Sequence, residues 1–133
     1  MTLLEKMNEN PTFINFHDCA LLKFDIQDDY VCVHIEVGEY TYYLYEEELK
    51  GVYIDPENKM LYIEQKFYGV KDMTGDCPPN IGPQDYFSIY SNKIENGKMV
   101  FSYENERVHG GCYQTAFSFD RCETKILCEM AHE

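Results

Sequence analysis

The sequence predicts an all-β fold: mainly an antiparallel meander of about eight or nine strands, closed as a barrel or folded as a sandwich, with at most a short N-terminal helix. Three observations predict it. Apolar and polar residues alternate in short runs along most of the chain. Turn signals separate those runs, and Asn96-Gly97 is the strongest of them. Tyr and Phe are abundant, at 12 and 8 residues with no Trp, and both suit a pleated, half-buried surface. The chain of 133 residues suits one domain, 1–133. It is long enough to bury a sizeable core without disulfides or metals.

In chain order, Thr2 to Asn8 has room for about two helical turns, stopped at Asn10-Pro11 because proline disfavours helix in the residue before it. Residues 1–11 form this N-terminal segment. The first hairpin is the best defined. With its turn at Asp28-Asp29, Ile26 faces Val31, Phe24 faces Val33, Leu22 faces Ile35 and Ala20 faces Val37. Every apolar pair then falls on one side of the sheet. "YTYYLY" (40–45) follows as a strand with rings on both faces, and "YEEELK" (45–50) allows one helical turn. A turn at Asp55–Lys59 joins "LKGVYI" to "MLYIEQKFYGV". Residues 69–85, "GVKDMTGDCPPNIGPQD", have no period and form a long irregular loop, of a kind that is often functional. Asn96-Gly97 closes a second hairpin, pairing Glu95 with Lys98, Ile94 with Met99 and Tyr90 with Tyr103. A last turn near Asp120–Thr124 separates "CYQTAFSF" from "KILCEM".

The formal charge is −13, from 24 acidic and 11 basic residues. That field repels nucleic-acid phosphates and anionic membranes and attracts basic partners. No apolar run nears the ~20 residues that span a bilayer, and the start has no signal-peptide pattern. A cytoplasmic location is expected, with Cys19, Cys32, Cys77, Cys112, Cys122 and Cys128 as reduced thiols. No glycine-rich phosphate loop and no G-x-S-x-G elbow occurs. His109 and Cys112 offer an H-x2-C pair, which Cys77 and Cys122 would complete to four ligands only if the fold gathers them. More often such cysteines act as small buried hydrophobes. No cofactor is expected.

The stretch "NFHDC" (15–19) places His17 beside Asp18, a pair that some enzymes use to hold a metal. If the first strand runs back through it, Asp18 falls on the core face and His17 on the other. The pair then cannot chelate one ion, and Asp18 serves as a strand-entry carboxylate for local backbone amides. His-Asp phosphohydrolases carry such a pair on a helical scaffold with further ligands, whereas here a strand follows. His34 also lies on the non-core face. It sits opposite Lys23, roughly 20 Å along the strand from His17. Cys32 sits opposite Asp25, too far from Cys19 for a disulfide.

"FHDC", then a strand, an acidic turn and a second strand, resembles the N-terminal portion of small bacterial all-β families, some of them similar to immunity proteins. The resemblance rests on His17 and Asp18 and implies no catalytic role. It implies that an immunity-type inhibitor of a basic toxin or nuclease is one form the protein's function can take. The residues themselves lead to a non-enzymatic, acidic binding protein with a basic protein partner. Asp28, Asp29, Tyr43, Tyr45, Glu46, Glu47 and Glu48 are its candidate contact residues, since Tyr is enriched at interfaces and clustered acids speed encounter with a basic surface. Two alternatives stand beside it. One is a small-ligand carrier with an internal cavity gated by 69–85, with Asp76 and Cys77 as loop candidates. The other is a metal or thiol enzyme built on His109, Cys112 and Cys77.

Overall fold

The computed structural model describes residues 1–49, 61–77, 79–108 and 111–127. Eight strands make one antiparallel sheet: β1 (Ala20–Ile26), β2 (Tyr30–Val37), β3 (Leu61–Tyr68), β4 (Lys71–Gly75), β5 (Phe87–Glu95), β6 (Lys98–Asn105), β7 (Cys112–Ser118) and β8 (Arg121–Leu127). Their order across the sheet is β4-β7-β6-β5-β1-β2-β3-β8. The sheet is neither a closed barrel nor a two-sheet sandwich. It is one open sheet, strongly curled.

The curl follows from chain connectivity. β7 and β8 lie six strand positions apart, about 29 Å if the sheet were flat. Only Phe119 and Asp120 join them, and three Cα steps reach at most about 11 Å. The two ends of the sheet must therefore approach each other. The Asp120 amide donates to the Tyr68 carbonyl at 2.8 Å. On the inner face the Phe67 ring meets Phe117 and Phe119, with centroids 5.2 and 5.1 Å apart. Phe24 and Phe101 complete this aromatic core, edge to face at 5.6 Å.

The first helix forms as the sequence predicts. Thr2 caps α1 (Leu3–Glu9): its side chain accepts the Glu5 amide while the Glu5 carboxylate accepts the Thr2 amide. Leu3 and Met7, one turn apart, are its buried face. The segment after it lies across one end of the core. Asn92 accepts from the Phe16 amide at 2.8 Å and donates to the Ile14 carbonyl at 3.0 Å. Gln65 donates to the Pro11 carbonyl at 3.1 Å. These bonds satisfy buried backbone groups that no strand reaches.

Both expected hairpins form, each with one error of register. Ile26–Val31 and Phe24–Val33 pair as expected, but a bulge between Leu21 and Lys23 shifts the rest. Leu21 now faces Ile35, and Ala20 faces Glu36. Leu21 is buried and Leu22 only partly so. In the second hairpin Glu95–Lys98 and Ile94–Met99 pair as expected, and a bulge after Ile89 puts that residue opposite Tyr103. Tyr90 is the extra residue and points outward, 66% exposed. A bulge adds one residue to one strand, so the side chains beyond it change face.

Three further expectations change. "YTYYLY" is not a strand but α2 (Glu39–Leu44), followed by α3 (Glu46–Leu49) where one turn was expected. β2 already has β1 and β3 on its two sides, so the chain leaving it finds no open edge there. Within 69–85, β4 pairs with β7 as an irregular edge strand, so that stretch is not loop throughout. The last turn sits at Phe119-Asp120, slightly before the expected position. The turn expected at Asp55–Lys59 lies outside the described residues.

The bulge in β1 yields a direct test. Leu21→Ala should cost about 2–5 kcal/mol of unfolding free energy, in the range for emptying a core site, and Leu22→Ala clearly less. Urea denaturation of both variants measures the difference. Equal costs would contradict the bulged register.

Candidate functional site

Cys32 and His34 lie two residues apart on β2, so both point to the outer face of the sheet. Glu64 of β3 is the cross-strand partner of His34 and points the same way. The three meet at one nitrogen. His34 Nε2 lies 2.7 Å from Glu64 Oε2 and 3.5 Å from Cys32 Sγ. Cys32 and His34 are buried although they face away from the core. Lys66, next along β3 on this face, reaches over the Tyr30 ring at 5.2 Å, with its ammonium 4.0 Å from the other Glu64 oxygen.

Burial works against the Glu64 charge, but the His34 hydrogen bond, the His34 charge and Lys66 together hold its carboxyl below the ordinary range. Cys32 goes the other way. Burial, then the Glu64 charge, push its thiol up to about 11. It stays protonated at neutral pH and is a poor nucleophile.

Cysteine, histidine and a carboxylate are the groups of a thiol-hydrolase relay, but the geometry is wrong for one. A relay needs the orienting acid on one ring nitrogen and the nucleophile on the other. Here both contact Nε2, and the buried Nδ1 has no partner among the described residues. The sequence signal for this trio was incomplete. The two-residue spacing of Cys32 and His34 was legible, but Glu64 joins them only through the β2–β3 register.

The predicted contact residues fall into two groups. Asp28 and Asp29 are exposed at the tip of the β1–β2 hairpin. Tyr43 lies on α2, Tyr45 in the turn after it and Glu46–Glu48 on α3, beyond the other end of β2. That strand has eight residues, which separates the groups by roughly 25 Å. Tyr45 is half-buried. Its hydroxyl accepts from the Asn15 amide at 2.9 Å and its ring packs on Phe13, so it anchors rather than presents. Glu46 and Glu47 are exposed. Helix α2 also turns outward a face that the strand expectation concealed. Tyr40, Tyr43 and Leu44, spaced i, i+3, i+4, are 72, 62 and 61% exposed.

The other candidates are dispersed. Asp76 extends the edge pairing of β4: its amide donates to the Gln114 carbonyl, and its carboxylate accepts the Gln114 amide at 2.8 Å. With Cys77, Phe24 and Met73 it lines a cavity of about 570 Å3 at the mouth of the curled sheet. The interior beneath is filled by rings, so an internal carrier cavity is replaced by this cleft. Cys112 is exposed and Cys122 buried. Neither shares a possible metal-ligand group with Cys77 among the described residues, and His109 lies outside them.

"NFHDC" does not continue β1. Asp18 has φ +67°, and the strand starts at Ala20. That left-handed residue turns Asp18 out to solvent rather than onto the core face. Its carboxylate lies 3.4 Å from His17 Nε2, with both side chains exposed. The two groups expected to diverge thus meet, through a bend. His17 Nδ1 donates to the Tyr90 carbonyl at 2.8 Å. Among the described residues, no helix is long and apolar enough to cross a membrane. No family model, curated protein or solved structure matches this chain.

Thiol labelling tests this map. In the native state Cys77 and Cys112 should alkylate rapidly, while Cys19, Cys32 and Cys122 should resist until the protein unfolds. Peptide mass spectrometry after a short pulse reads the sites. Rapid labelling of Cys32 would contradict its burial.

Proposed function

We propose that this is a non-enzymatic binding protein that docks a basic protein partner on the outward face of α2 and the acidic turn beside it. The observation that carries the reading is the contiguous exposure of Tyr40, Tyr43 and Leu44 next to Glu46 and Glu47. Three large apolar side chains on one helical face are more than the scattered exposure ordinary for a surface. Tyr is a favoured interface anchor, and an acidic rim selects a basic counterpart. The net charge of −13 would steer such a partner from a distance.

A basic toxin or nuclease, neutralised in the manner of an immunity protein, fits this charge complementarity. A reducing compartment such as the cytoplasm suits thiols that are unpaired among the described residues. The cleft at the sheet mouth, with an apolar floor of Phe24, Met73 and Ile81, supports a second reading as a small-ligand site.

The experiment is native mass spectrometry of the protein recovered gently from its own cells, comparing wild type with Tyr43→Ala, Leu44→Asp and the Glu46→Lys/Glu47→Lys pair. A basic polypeptide should accompany the wild type and be lost from all three. With that polypeptide purified, Tyr43→Ala should weaken binding by roughly tenfold or more, as for an interface anchor, and added salt should slow association. Undiminished binding by the Leu44→Asp variant, or salt-independent association, would sink the proposal.

A further inference from the structure

The Cys32, His34 and Glu64 trio has no part in the docking face, and its geometry asks for an occupant. We infer that these three side chains form a binding site for a zinc-class divalent cation on the outer face of β2 and β3.

The first argument is convergence. The sulfur, nitrogen and oxygen donors all lie within 4.8 Å of one another. Two of them contact a single nitrogen, which defeats a relay but suits a shared ion. A tetrahedral zinc with ordinary bond lengths separates a thiolate sulfur from an imidazole nitrogen by about 3.6 Å. Cys32 Sγ and His34 Nε2 are 3.5 Å apart. The matching nitrogen–oxygen separation is about 3.4 Å, against 2.7 Å here. The His34–Glu64 separation has to open by about 0.7 Å to reach the zinc value, and Glu64 is the long, partly exposed member of the three.

The second argument is the donor set. Magnesium and calcium want oxygen ligands alone. Copper(I) favours sulfur-rich sites. One thiolate, one imidazole and one carboxylate match zinc and its close analogue cobalt(II). A cation of charge +2 balances the thiolate and carboxylate charges, and Lys66 can keep its contact with the second Glu64 oxygen. Among the described residues no fourth His, Cys, Asp or Glu joins the group, so water takes the remaining position.

The chemistry balances simply. As the cation binds, the thiol proton of Cys32 goes to solvent, and His34 binds through Nε2 as a neutral imidazole whose one ring proton sits on Nδ1. Among the described residues that nitrogen has no acceptor. The site therefore lacks the outer hydrogen bond that usually strengthens a histidine ligand, and its affinity is moderate. The Lys66 ammonium on the other Glu64 oxygen repels a cation held by the same carboxylate, so its removal strengthens binding.

Cobalt(II) is the probe, added to metal-free, reduced protein in which Cys77, Cys112 and Cys128 are replaced by serine. One equivalent should produce a thiolate-to-cobalt charge-transfer band and raise the thermal midpoint. Cys32→Ser should abolish the band. Glu64→Gln should weaken binding by more than the roughly 10–100-fold that losing an outer-shell partner costs, and Lys66→Met should tighten it. No band in the parent protein, or a band that survives Cys32→Ser, overturns the inference. Should Cys32→Ser fail to fold by circular dichroism, Glu64→Gln decides: unchanged cobalt affinity overturns it, and a large loss upholds it.

Discussion

The short connection between β7 and β8 is the constraint on which the rest of the structure depends. Two residues cannot bridge the width of a flat eight-stranded sheet, so the sheet bends until its distant strands meet. Bending gives one face an inside, and that inside is filled by Phe24, Phe67, Phe101 and Phe117. These rings contribute both area and orientation, since edge-to-face contacts add to plain burial. Because the sheet stays open, its mouth persists beside β4, where the cleft near Asp76 and Cys77 lies. The end near β5 is covered instead by the chain after α1, fastened through Asn92.

Curling also explains why the outer face matters. β2 is flanked on both sides and largely buried on both faces, and β3, one strand from the edge, is buried on its inner face and at Tyr62 on the outer one. On the inner face this burial is apolar. On the outer face it encloses Cys32, His34 and part of Glu64, at a cost in lost hydration. The short Glu64–His34 hydrogen bond and the nearby Lys66 charge offset much of it. What remains is a concentrated set of donors with one polar nitrogen left over. A buried polar group without its full partners is uncommon in a native fold, and here it sits beside the only described group suited to hold a metal.

The docking face depends on the same framework. Helix α2 has six residues, far short of what stands alone in water. It persists because neighbouring side chains tie it down. Thr41 hydrogen-bonds Cys19 at 3.4 Å, Tyr45 reaches the Asn15 amide, and Leu49 is buried in the core. With the inward positions held, Tyr40, Tyr43 and Leu44 are presented in a fixed arrangement. Ordering such a face in advance reduces the entropy lost on binding.

Local features were legible in the amino-acid order. Thr2 to Asn8 and the stop at Asn10-Pro11 located α1, while the capping role of Thr2 emerged only in the structure. Asp28-Asp29 and Asn96-Gly97 placed both hairpin tips, and the pairs nearest each turn followed from alternation. Those signals act over a few residues, where backbone sterics and side-chain period decide the outcome. The errors began where a distant neighbour intervened. The bulges at Leu21 and Ile89 depend on how β1 and β5 fit the curled sheet. Helix α2 replaced a strand because β2 had no vacant edge, and the exposed Tyr40 and Leu44 went unread with it. The single curled sheet arose from which strands met, which period-two alternation does not encode. The candidate sites divide in the same way. By itself the sequence determined an acidic, tyrosine-rich β-protein and put Cys32 and His34 on one face. Only tertiary structure brought Glu64 to them and left Asp28-Asp29 far from Glu46-Glu47, because both depend on contacts between segments remote in the chain.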